Sequence, residues 1–381
     1  MRAVGPRGRY NGVMSERPLS AIVLAAGQGT RMRSTRPKPL HMLCGRPLVR
    51  YVIDAVVGCE AERAVVVVGH GGDLVSKTLQ EDPGPVPLEF VEQRVQSGTG
   101  DAVAVGLTGL PDEDLDPGDS EGGDVIVLPG DTPLVRPETL SRLVVEHRLS
   151  GAACTLLTAR MDEPAGYGRV VRDKDGRVRR IVEERDADET ERGIDEINTG
   201  IYVFRRNLLA PALRRITPDN SQGELYVTDV VAVLADAGHP VVSLVADDAD
   251  ETQGINDRAQ LAVAEAELRR RTNQRWMRDG VGIVDPGATY VDTTVTLAPD
   301  VVLFPGTVLQ GATVVGAGSE IGPATRLADT RVGERSKVNE SVATLAEIGD
   351  DALVGPFAVL EPGARVGSGV RTGPFYTGGT G

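Results

Sequence analysis

Apolar runs alternate with helix-like segments from residue 20 to about residue 250 of the chain. Short, continuous apolar runs bounded by polar residues predict strands that are buried on both faces of a sheet. The segments near residues 48–57 and 99–110 are predicted to be helices. This alternation is typical of a doubly wound, mostly parallel α/β sheet. The predicted strands are residues 21–26, 64–69, 88–93 and 124–130.

Three further segments complete this first part of the chain. Asp175-Gly176 separates two β-prone runs, residues 169–172 and 178–182, and predicts a hairpin. Residues 111–124 hold seven carboxylates and are predicted to form a solvated surface loop rather than a metal site. Residues 257–278 are predicted to form a connecting helix.

Beyond residue 282, aliphatic residues recur every six positions. After a shift of one residue the spacing continues at Val332 and Val338, and a further phase is predicted to begin at Val342. A period of six is the signature of a parallel β-helix of hexapeptide repeats, whose stacked coils bury an aliphatic column. The first phase comprises Val291, Leu297, Leu303, Leu309, Val315, Ile321 and Leu327, and the last comprises Val342, Ile348, Val354, Leu360 and Val366.

Composition narrows the class of protein. The chain has 381 residues and a net charge of −14, which argues against a nucleic-acid partner because such proteins show a basic face. Its three cysteines lack metal-ligand spacing, and no apolar run approaches the roughly 18–20 residues that span a bilayer. Residues 1–19 lack the apolar segment of a secretory signal and are predicted to be a disordered tail, with Met14 as an alternative start. We therefore expect a soluble cytoplasmic protein without a membrane partner.

The stretch from Leu24 to Lys38 carries the candidate chemistry. The strand at 21–26 leads into Gly27-Gln28-Gly29-Thr30, whose backbone N–H groups can point at phosphate oxygens. Arg31 and Lys38 would neutralise a polyphosphate. The loop lacks the Gly-Lys-Ser/Thr of a Walker A motif and the third glycine of a dinucleotide fingerprint. Alone, a Gly-x-Gly loop is equally compatible with a tight turn that carries solvated basic residues.

The whole string resembles the signature of sugar-1-phosphate nucleotidylyltransferases. Residues 24–32 read Leu-Ala-Ala-Gly-Gln-Gly-Thr-Arg-Met, and Pro37-Lys38 follows. From about Ser20 to about Val366 the chain resembles the bifunctional N-acetylglucosamine-1-phosphate uridylyltransferase/glucosamine-1-phosphate acetyltransferase family (GlmU). The resemblance implies a doubly wound sheet of the nucleotide-diphospho-sugar transferase type, followed by a short left-handed parallel β-helix. The implied division is a tail at 1–19, a nucleotidylyltransferase domain at 20–256, a connecting helix at 257–281 and a truncated β-helix at 282–381.

The resemblance implies that UTP and N-acetylglucosamine 1-phosphate are joined to give UDP-N-acetylglucosamine and pyrophosphate, with Mg²⁺ as cofactor. Asp131, at the end of the strand 124–130, and Asn256 resemble the metal ligands of the family, although each alone is a common cap or turn residue. Arg31 and Lys38 are the implied catalytic residues. The implied sugar-binding residues are Gly168, Glu183 and Asn198. The implied nucleotide-binding residues are Leu24, Ala25, Ala26, Gly27, Gly29, Thr30, Gln93, Gln96, Gly98 and Thr99.

The chain departs from the family pattern at several positions. All four histidines precede residue 240, so the catalytic histidine of the acetyltransferase half is absent from the sequence. Glu361 stands where the family has an arginine that meets a phosphate, which reverses the charge. We therefore expect acetyl transfer to be lost. Asp101 stands where the family commonly has histidine, and Glu184-Arg185 follows the sugar-site glutamate.

The resemblance also implies a homotrimer, because β-helical prisms of this family commonly associate in threes. Two alternative functions stay open. One is another hexose-1-phosphate nucleotidylyltransferase of a specialised pathway, which the departures near the sugar site allow. The other is a non-catalytic paralogue that binds a nucleotide sugar, which the presence of Arg31, Lys38, Asp131 and Asn256 disfavours.

Overall fold

The computed structural model describes residues 17–111 and 123–379. It divides into two compact units. The first comprises the described residues up to Leu40 together with Val49–Gly254, and the second comprises His41–Leu48 and the described residues from Ile255 onward. Most of the predicted tail and of the predicted acidic loop lie outside the described residues. The last residues of that tail are ordered, because Leu19 begins a strand and the buried Arg17 lies 3.7 Å from Asp124.

Nine strands form the central sheet of the first unit. Seven of them follow the order β11-β7-β10-β6-β1-β4-β5, and the hairpin β8–β9 joins at β10. Their bounds are β1 Leu19–Ala25, β4 Arg63–Val68, β5 Leu88–Glu92, β6 Asp124–Pro129, β7 Cys154–Arg160, β8 Arg169–Arg172, β9 Val178–Val182, β10 Glu196–Arg205 and β11 Val241–Val245, while β2 (Met42–Leu43) and β3 (Arg46–Pro47) belong to the second unit.

The pairing of these strands confirms the predicted, mostly parallel sheet. Strand β1 runs parallel to β4 and β6, with Val23 opposite Val66 and Leu128. Strand β10 is antiparallel to both β6 and β7. The predicted hairpin at Asp175-Gly176 is also present, because β8 pairs antiparallel with β9 and Gly176 has a φ of 79°. The central strands are continuous apolar runs because both of their faces are covered.

Helices cover the sheet on both faces. One apolar core joins α1, α2 and α4 to Val23 and the other residues on its side of β1, and the second core joins α3, α6 and α7 to Ile22 on the opposite side. This arrangement is the doubly wound architecture. The α-helices are α1 Leu48–Gly58, α2 Gly72–Glu81, α3 Thr99–Leu107, α4 Pro137–Ser150, α5 Glu189–Arg192, α6 Arg206–Leu213, α7 Asp229–Asp236 and α8 Arg258–Arg278, and the short 3₁₀ helices include Thr30–Met32, Lys38–Leu40, Ala249–Thr252 and Pro286–Ala288.

The second unit contains a parallel β-helix preceded by α8, as the period of six predicts, and this β-helix is left-handed, as the resemblance implies. Its short strands stack in three sheets. Within each sheet, a strand pairs with the strands of the neighbouring coils. The first sheet is β12 Gly282–Ile283, β15 Val302–Leu303, β18 Glu320–Ile321, β21 Lys337–Val338 and β24 Leu353–Val354. The second is β13 Tyr290–Val291, β16 Val308–Gln310, β19 Arg326–Ala328, β22 Val342–Thr344, β25 Val359–Leu360 and β27 Thr377–Gly378. The third is β14 Thr296–Leu297, β17 Val314–Val315, β20 Arg331–Val332, β23 Glu347–Ile348 and β26 Arg365–Val366.

One predicted interior position of the β-helix is wrong. Val342 is 42 % exposed, and Ala343, which is 1 % exposed, takes its place in the core. Leu327, Ala343 and Leu360 stack in the second sheet. The corner between Val338 and Ala343 is one residue shorter than a full repeat, so the inward position moves by one. The other aliphatic positions of the predicted column are buried.

A hairpin from early in the chain belongs to the second unit. Strands β2 and β3 pair around a turn at Cys44 and Gly45, both with positive φ. The backbone N–H of Cys44 donates to Glu265 Oε2 in α8 at 2.9 Å, and the N–H of Thr293 donates to the Cys44 carbonyl at 3.0 Å. No helix within residues 17–111 and 123–379 has the length and apolar character needed to cross a membrane.

Candidate functional site

A cleft of about 380 Å³ lies in the first unit at the carboxyl ends of β1 and β6. Ligands of open parallel sheets bind at this edge, because the loops that leave the strands diverge there. The cleft brings together side chains from distant parts of the unit. The predicted site residues that line it are Leu24, Ala25, Ala26, Gly27, Lys38, Gln93, Gln96, Gly98, Thr99, Asp131 and Asn198.

The glycine loop forms one border of the cleft. Gly29 has a φ of 61°, and a Cβ atom at this position would lie 2.6 Å from the Cβ of Lys38, so only glycine fits here. A Cβ on Gly27 would meet no atom within 4 Å, which leaves its backbone open to the cleft. The following 3₁₀ turn is anchored by the buried Met32. Gly29, Thr30 and Arg31 themselves do not line the cleft.

An ion pair joins two predicted site residues. Lys38 Nζ donates to Asp131 Oδ2, and both side chains are largely buried. Asp131 directly follows Gly130, whose N–H donates to the Leu24 carbonyl at 2.9 Å and so fixes the end of β6 against β1. The pair places one positive and one negative group at the sheet edge. A polyanion can therefore bind near Lys38, and a cation can bind near Asp131.

The loop after β5 forms the opposite wall. Gln93 Nε2 donates to Asp101 Oδ2 at 2.7 Å and to the Gly98 carbonyl at 3.1 Å. Gln96 Nε2 donates to the Ala26 carbonyl at 2.7 Å, which ties this loop to the glycine loop. Gly98 has a φ of 114°, and a Cβ there would lie 2.4 Å from the Leu225 carbonyl oxygen. The two glutamines therefore sit in a loop that is held at several points.

The predicted sugar-binding residues lie close together in the first unit. The N–H of Asn198 donates to the Gly168 carbonyl at 2.8 Å, and a Cβ on Gly168 would lie 3.4 Å from Glu183 Oε2. Thr228 Oγ1 donates to Glu183 Oε1 at 3.1 Å. Burial raises the pKa of Glu183, with a further contribution from the charges of Asp229 and Asp186, while the hydrogen bond from Thr228 lowers it. Asn198 lines the cleft, whereas Gly168 and Glu183 are not among the residues that line it.

The chain is similar to known proteins over about three quarters of its length. Residues 21–226 match the MobA-like NTP transferase domain family. The chain belongs to this family. It is 46 % identical over 289 residues to the bifunctional protein GlmU of Thermobifida fusca, covering 76 % of this chain and 58 % of the relative. It is 46 % identical over 285 residues to bifunctional protein GlmU of Brevibacillus brevis (75 % and 59 %) and 47 % identical over 289 residues to that of Streptomyces avermitilis (75 % and 58 %).

These relatives confirm the predicted resemblance to GlmU proteins. The chain spans less than two thirds of their length. The match to the MobA-like NTP transferase domain ends at residue 226, so it covers the hairpin segment and most of the first unit, and the cleft lies in the first unit. The β-helix is outside that match.

Two tyrosines of this NTP transferase domain were missed by the sequence analysis. Tyr202 lines the cleft and hydrogen-bonds Asn198, and burial raises its pKa well above the usual value. Burial also raises the pKa of Tyr167, with a further contribution from the charge of Asp131. Asn198, Gly200 and Tyr202 all line the cleft at an irregularity of β10, where the pairing with β7 shifts register and Gly200 has a φ of 79°. The polar Asn-Thr-Gly segment ahead of the apolar end of this strand was the available signal.

Asn256, the second predicted metal ligand, lies in the second unit. Its backbone N–H donates to Gln260 Oε1 at 2.7 Å, and the adjacent Asp257 caps α8 by accepting hydrogen bonds from the backbone of Ala259 and Gln260 at 2.9 Å. Within the described parts of the chain, no group of three or more His, Cys, Asp or Glu side chains is arranged to hold a metal ion. The Asp131 carboxylate has hard oxygen atoms, the type of ligand that divalent cations prefer in proteins.

Proposed function

We propose that this chain is a uridylyltransferase that joins UTP and N-acetylglucosamine 1-phosphate. The products are UDP-N-acetylglucosamine and pyrophosphate. The observation that carries the proposal is the Lys38–Asp131 pair in a cleft that also contains Gln93, Gln96 and Asn198. The chain is 46 % identical to the bifunctional protein GlmU of Thermobifida fusca, and this relation supports the choice of substrates.

In this reaction the protein residues mainly position the two substrates and neutralise the negative charge of their phosphates. A phosphate oxygen of the sugar phosphate attacks the α-phosphorus of UTP, the new P–O bond forms, and the bond to the bridging oxygen of pyrophosphate breaks. The attacking oxygen is already an anion, so no general base is needed. Lys38 and Arg31 stabilise the negative charge of the phosphates as it shifts toward the leaving group. Lys38 lines the cleft, which supports this role.

A divalent cation, Mg²⁺, completes the proposed site. Asp131 and Asn256 are the residues that would hold it, through a carboxylate and an amide oxygen. Asp131 suits this role because its carboxylate already holds the cation of Lys38 in the cleft. When bound, Mg²⁺ supplies charge neutralisation to the triphosphate.

We propose the remaining roles from the resemblance to the GlmU family, in which the matching residues include four that do not line the cleft: Gly29, Thr30, Gly168 and Glu183. Leu24, Ala25, Ala26, Gly27, Gly29 and Thr30 are proposed to contact the phosphates and ribose, and Gln93, Gln96, Gly98 and Thr99 to contact the uracil. Gly168, Glu183 and Asn198 are proposed to contact the N-acetylated sugar. Glu184, a departure from the family pattern, does not argue for a different sugar, because its Oε2 lies 2.8 Å from the guanidinium of the buried Arg169.

We further propose that residues 20–256 contain the transferase, that residues 257–281 connect it to the β-helix of residues 282–381, and that the chain assembles as a trimer. Residues 282–381 are proposed not to transfer acetyl groups. Glu361 supports this, because a carboxylate repels a substrate phosphate, and these residues contain no histidine. Coenzyme A release from acetyl-CoA with glucosamine 1-phosphate tests this point, and robust release would overturn it.

Pyrophosphate release over a panel of triphosphates and sugar phosphates tests the main proposal. UTP with N-acetylglucosamine 1-phosphate should give the highest kcat/KM. Asp131→Ala should lower kcat by a factor of about 10² or more, since removing a group that stabilises transition-state charge has effects of this size. Asp175→Ala, an exposed hairpin-turn residue with the same charge change, serves as the control. Equal activity of the two variants would contradict the proposed site.

A further inference from the structure

The side-chain amide of Gln93 has a fixed direction. Its Nε2 carries two hydrogens, and these go to Asp101 Oδ2 at 2.7 Å and to the Gly98 carbonyl at 3.1 Å. An ionised carboxylate and a backbone carbonyl can only accept hydrogen bonds. Rotating the amide by half a turn would place Gln93 Oε1 against two acceptors. These two acceptors therefore determine which atom of the Gln93 amide is the nitrogen, and no ligand is needed for the assignment.

This orientation leaves one polar atom of the side chain for a ligand. Gln93 is only 5 % exposed, yet it lines the cleft. Among the described residues no donor reaches its Oε1. Gln93 thus offers the cleft an acceptor and keeps both of its donors for the protein.

Asp101 is well placed to maintain this arrangement. It lies in the first turn of α3, where the helix N-terminus favours a negative charge. Its carboxylate makes the shorter of the two hydrogen bonds to Gln93 Nε2. A residue with a donor at this position could instead pair with Gln93 Oε1, which would turn Nε2 toward the cleft.

We propose that Asp101 is a positioning residue that sets base selectivity by holding Gln93 Oε1 toward the nucleotide. The inference rests on the proposed function. Uracil carries a hydrogen on its ring nitrogen N3, which pairs with an acceptor. Cytosine carries a lone pair at N3, which would face Gln93 Oε1 as a second acceptor and leave both unpaired. A polar site rejects an analogue that leaves its groups unpaired.

The test compares kcat/KM for UTP with kcat/KM for CTP in the whole chain. Asp101→Asn has the same shape but can present an N–H to Gln93 Oε1, so the preference for UTP should fall by about tenfold or more, as expected for one hydrogen bond to a charged group. Asp101→Ala should lower the preference as well. Asp101→Glu, which keeps the acceptor, should retain most of it. KM for the sugar phosphate should not change in any of the three.

Asp73→Asn is the matched control, because Asp73 is an exposed acid in the first turn of α2. It removes the same charge from a helix N-terminus and should leave the UTP preference unchanged. Thermal unfolding of each variant identifies any that do not fold, and the remaining Asp101 variants then decide the question. An unchanged UTP preference in folded Asp101→Asn and Asp101→Ala overturns the proposal.

Calorimetric binding of UTP and CTP separates this inference from the proposed function. If the wild-type chain turns over UTP but Asp101→Asn binds UTP and CTP in the wild-type ratio, the role of Asp101 is wrong and the function stands. If the wild-type chain gives no product while Asp101→Asn still loses the binding preference for UTP, the function is wrong and the role of Asp101 stands. A wild-type chain that binds UTP and CTP equally overturns both.

Discussion

At the scale of single residues, Thr228 opposes the effect of burial on the Glu183 carboxylate. Its hydroxyl donates to Glu183 Oε1 at 3.1 Å and favours the ionised form. Burial and the nearby Asp229 and Asp186 act in the opposite direction and raise the pKa of Glu183. Tyr202 and Tyr226 also lie close enough to feel the charge of Glu183. The ionisation of Glu183 therefore depends on one hydrogen bond that opposes several unfavourable effects.

Thr228→Val should raise the pKa of Glu183 further, because it removes the only hydrogen bond that favours the charged form among these effects. If ionised Glu183 binds the sugar, activity is lost as pH falls through this pKa, so the acidic limb of kcat/KM for the sugar phosphate should move to higher pH. Thr228→Ser keeps the hydroxyl and should restore the wild-type profile. KM for UTP should not change. An acidic limb that stays in place in Thr228→Val would exclude this role.

At the residue scale, the sequence marks local motifs but does not mark contacts between distant positions. Gln93, Gln96 and Gly98 lie within six residues of one another and were predicted together. The hydrogen bond between Thr228 and Glu183 joins positions 45 residues apart, and no local pattern marks it. The hydrogen bond from Gln93 Nε2 to Asp101 joins positions only eight residues apart, but no sequence pattern shows which atom of the amide takes part in it.

At the scale of elements, buried parallel strands could be predicted closely and corners of the β-helix could not. A strand covered on both faces is a continuous apolar run, so β1, β4, β5 and β6 lie within two residues of their predicted bounds. The corners of the β-helix vary in length without an apolar signature, so the predicted register failed at Val342. The hairpin β2–β3 has only two residues in each strand, which is too short for a periodic pattern.

The adjacent positions Val342 and Ala343 give a direct test of this register. Val342→Lys places a charge on the surface and should change the free energy of unfolding by no more than about 0.5 kcal/mol. Ala343→Lys buries the same charge among Leu327 and Leu360 and should cost several-fold more, or prevent the coil from forming. Denaturant unfolding of the two variants measures the difference. Equal destabilisation, or a greater effect at Val342, would support the register predicted from the sequence, in which Val342 points into the core.

At the scale of the whole molecule, the two units are not consecutive in sequence. The segment His41–Leu48 belongs to the second unit although the chain before and after it belongs to the first. Cys44 in this segment is buried, which raises the pKa of its thiol, with a further contribution from the charge of Glu265. The integrity of the second unit can therefore be read from the reactivity of one thiol near the start of the chain.

A chain shortened to residues 1–254 should expose Cys44, because Glu265 and Thr293 are then absent. An aromatic disulfide reagent should modify one thiol rapidly in the shortened chain and none in the whole chain. Cys59 and Cys154 are buried in the first unit and are the internal controls. Rapid modification of all three would mean that the first unit does not fold alone. A protected Cys44 in a shortened chain with protected controls would contradict the assignment of the hairpin to the second unit.

The same hairpin has a consequence for protein synthesis. Cys44 and Glu265 are separated by 221 residues, so at about 5–20 residues per second the ribosome adds the partner of the hairpin about 10–40 s after the hairpin itself. During that interval the hairpin lacks α8, the helix that carries its hydrogen-bond partner Glu265. The nascent chain thus carries the segment His41–Leu48 without its partner helix, within reach of chaperones, until α8 emerges.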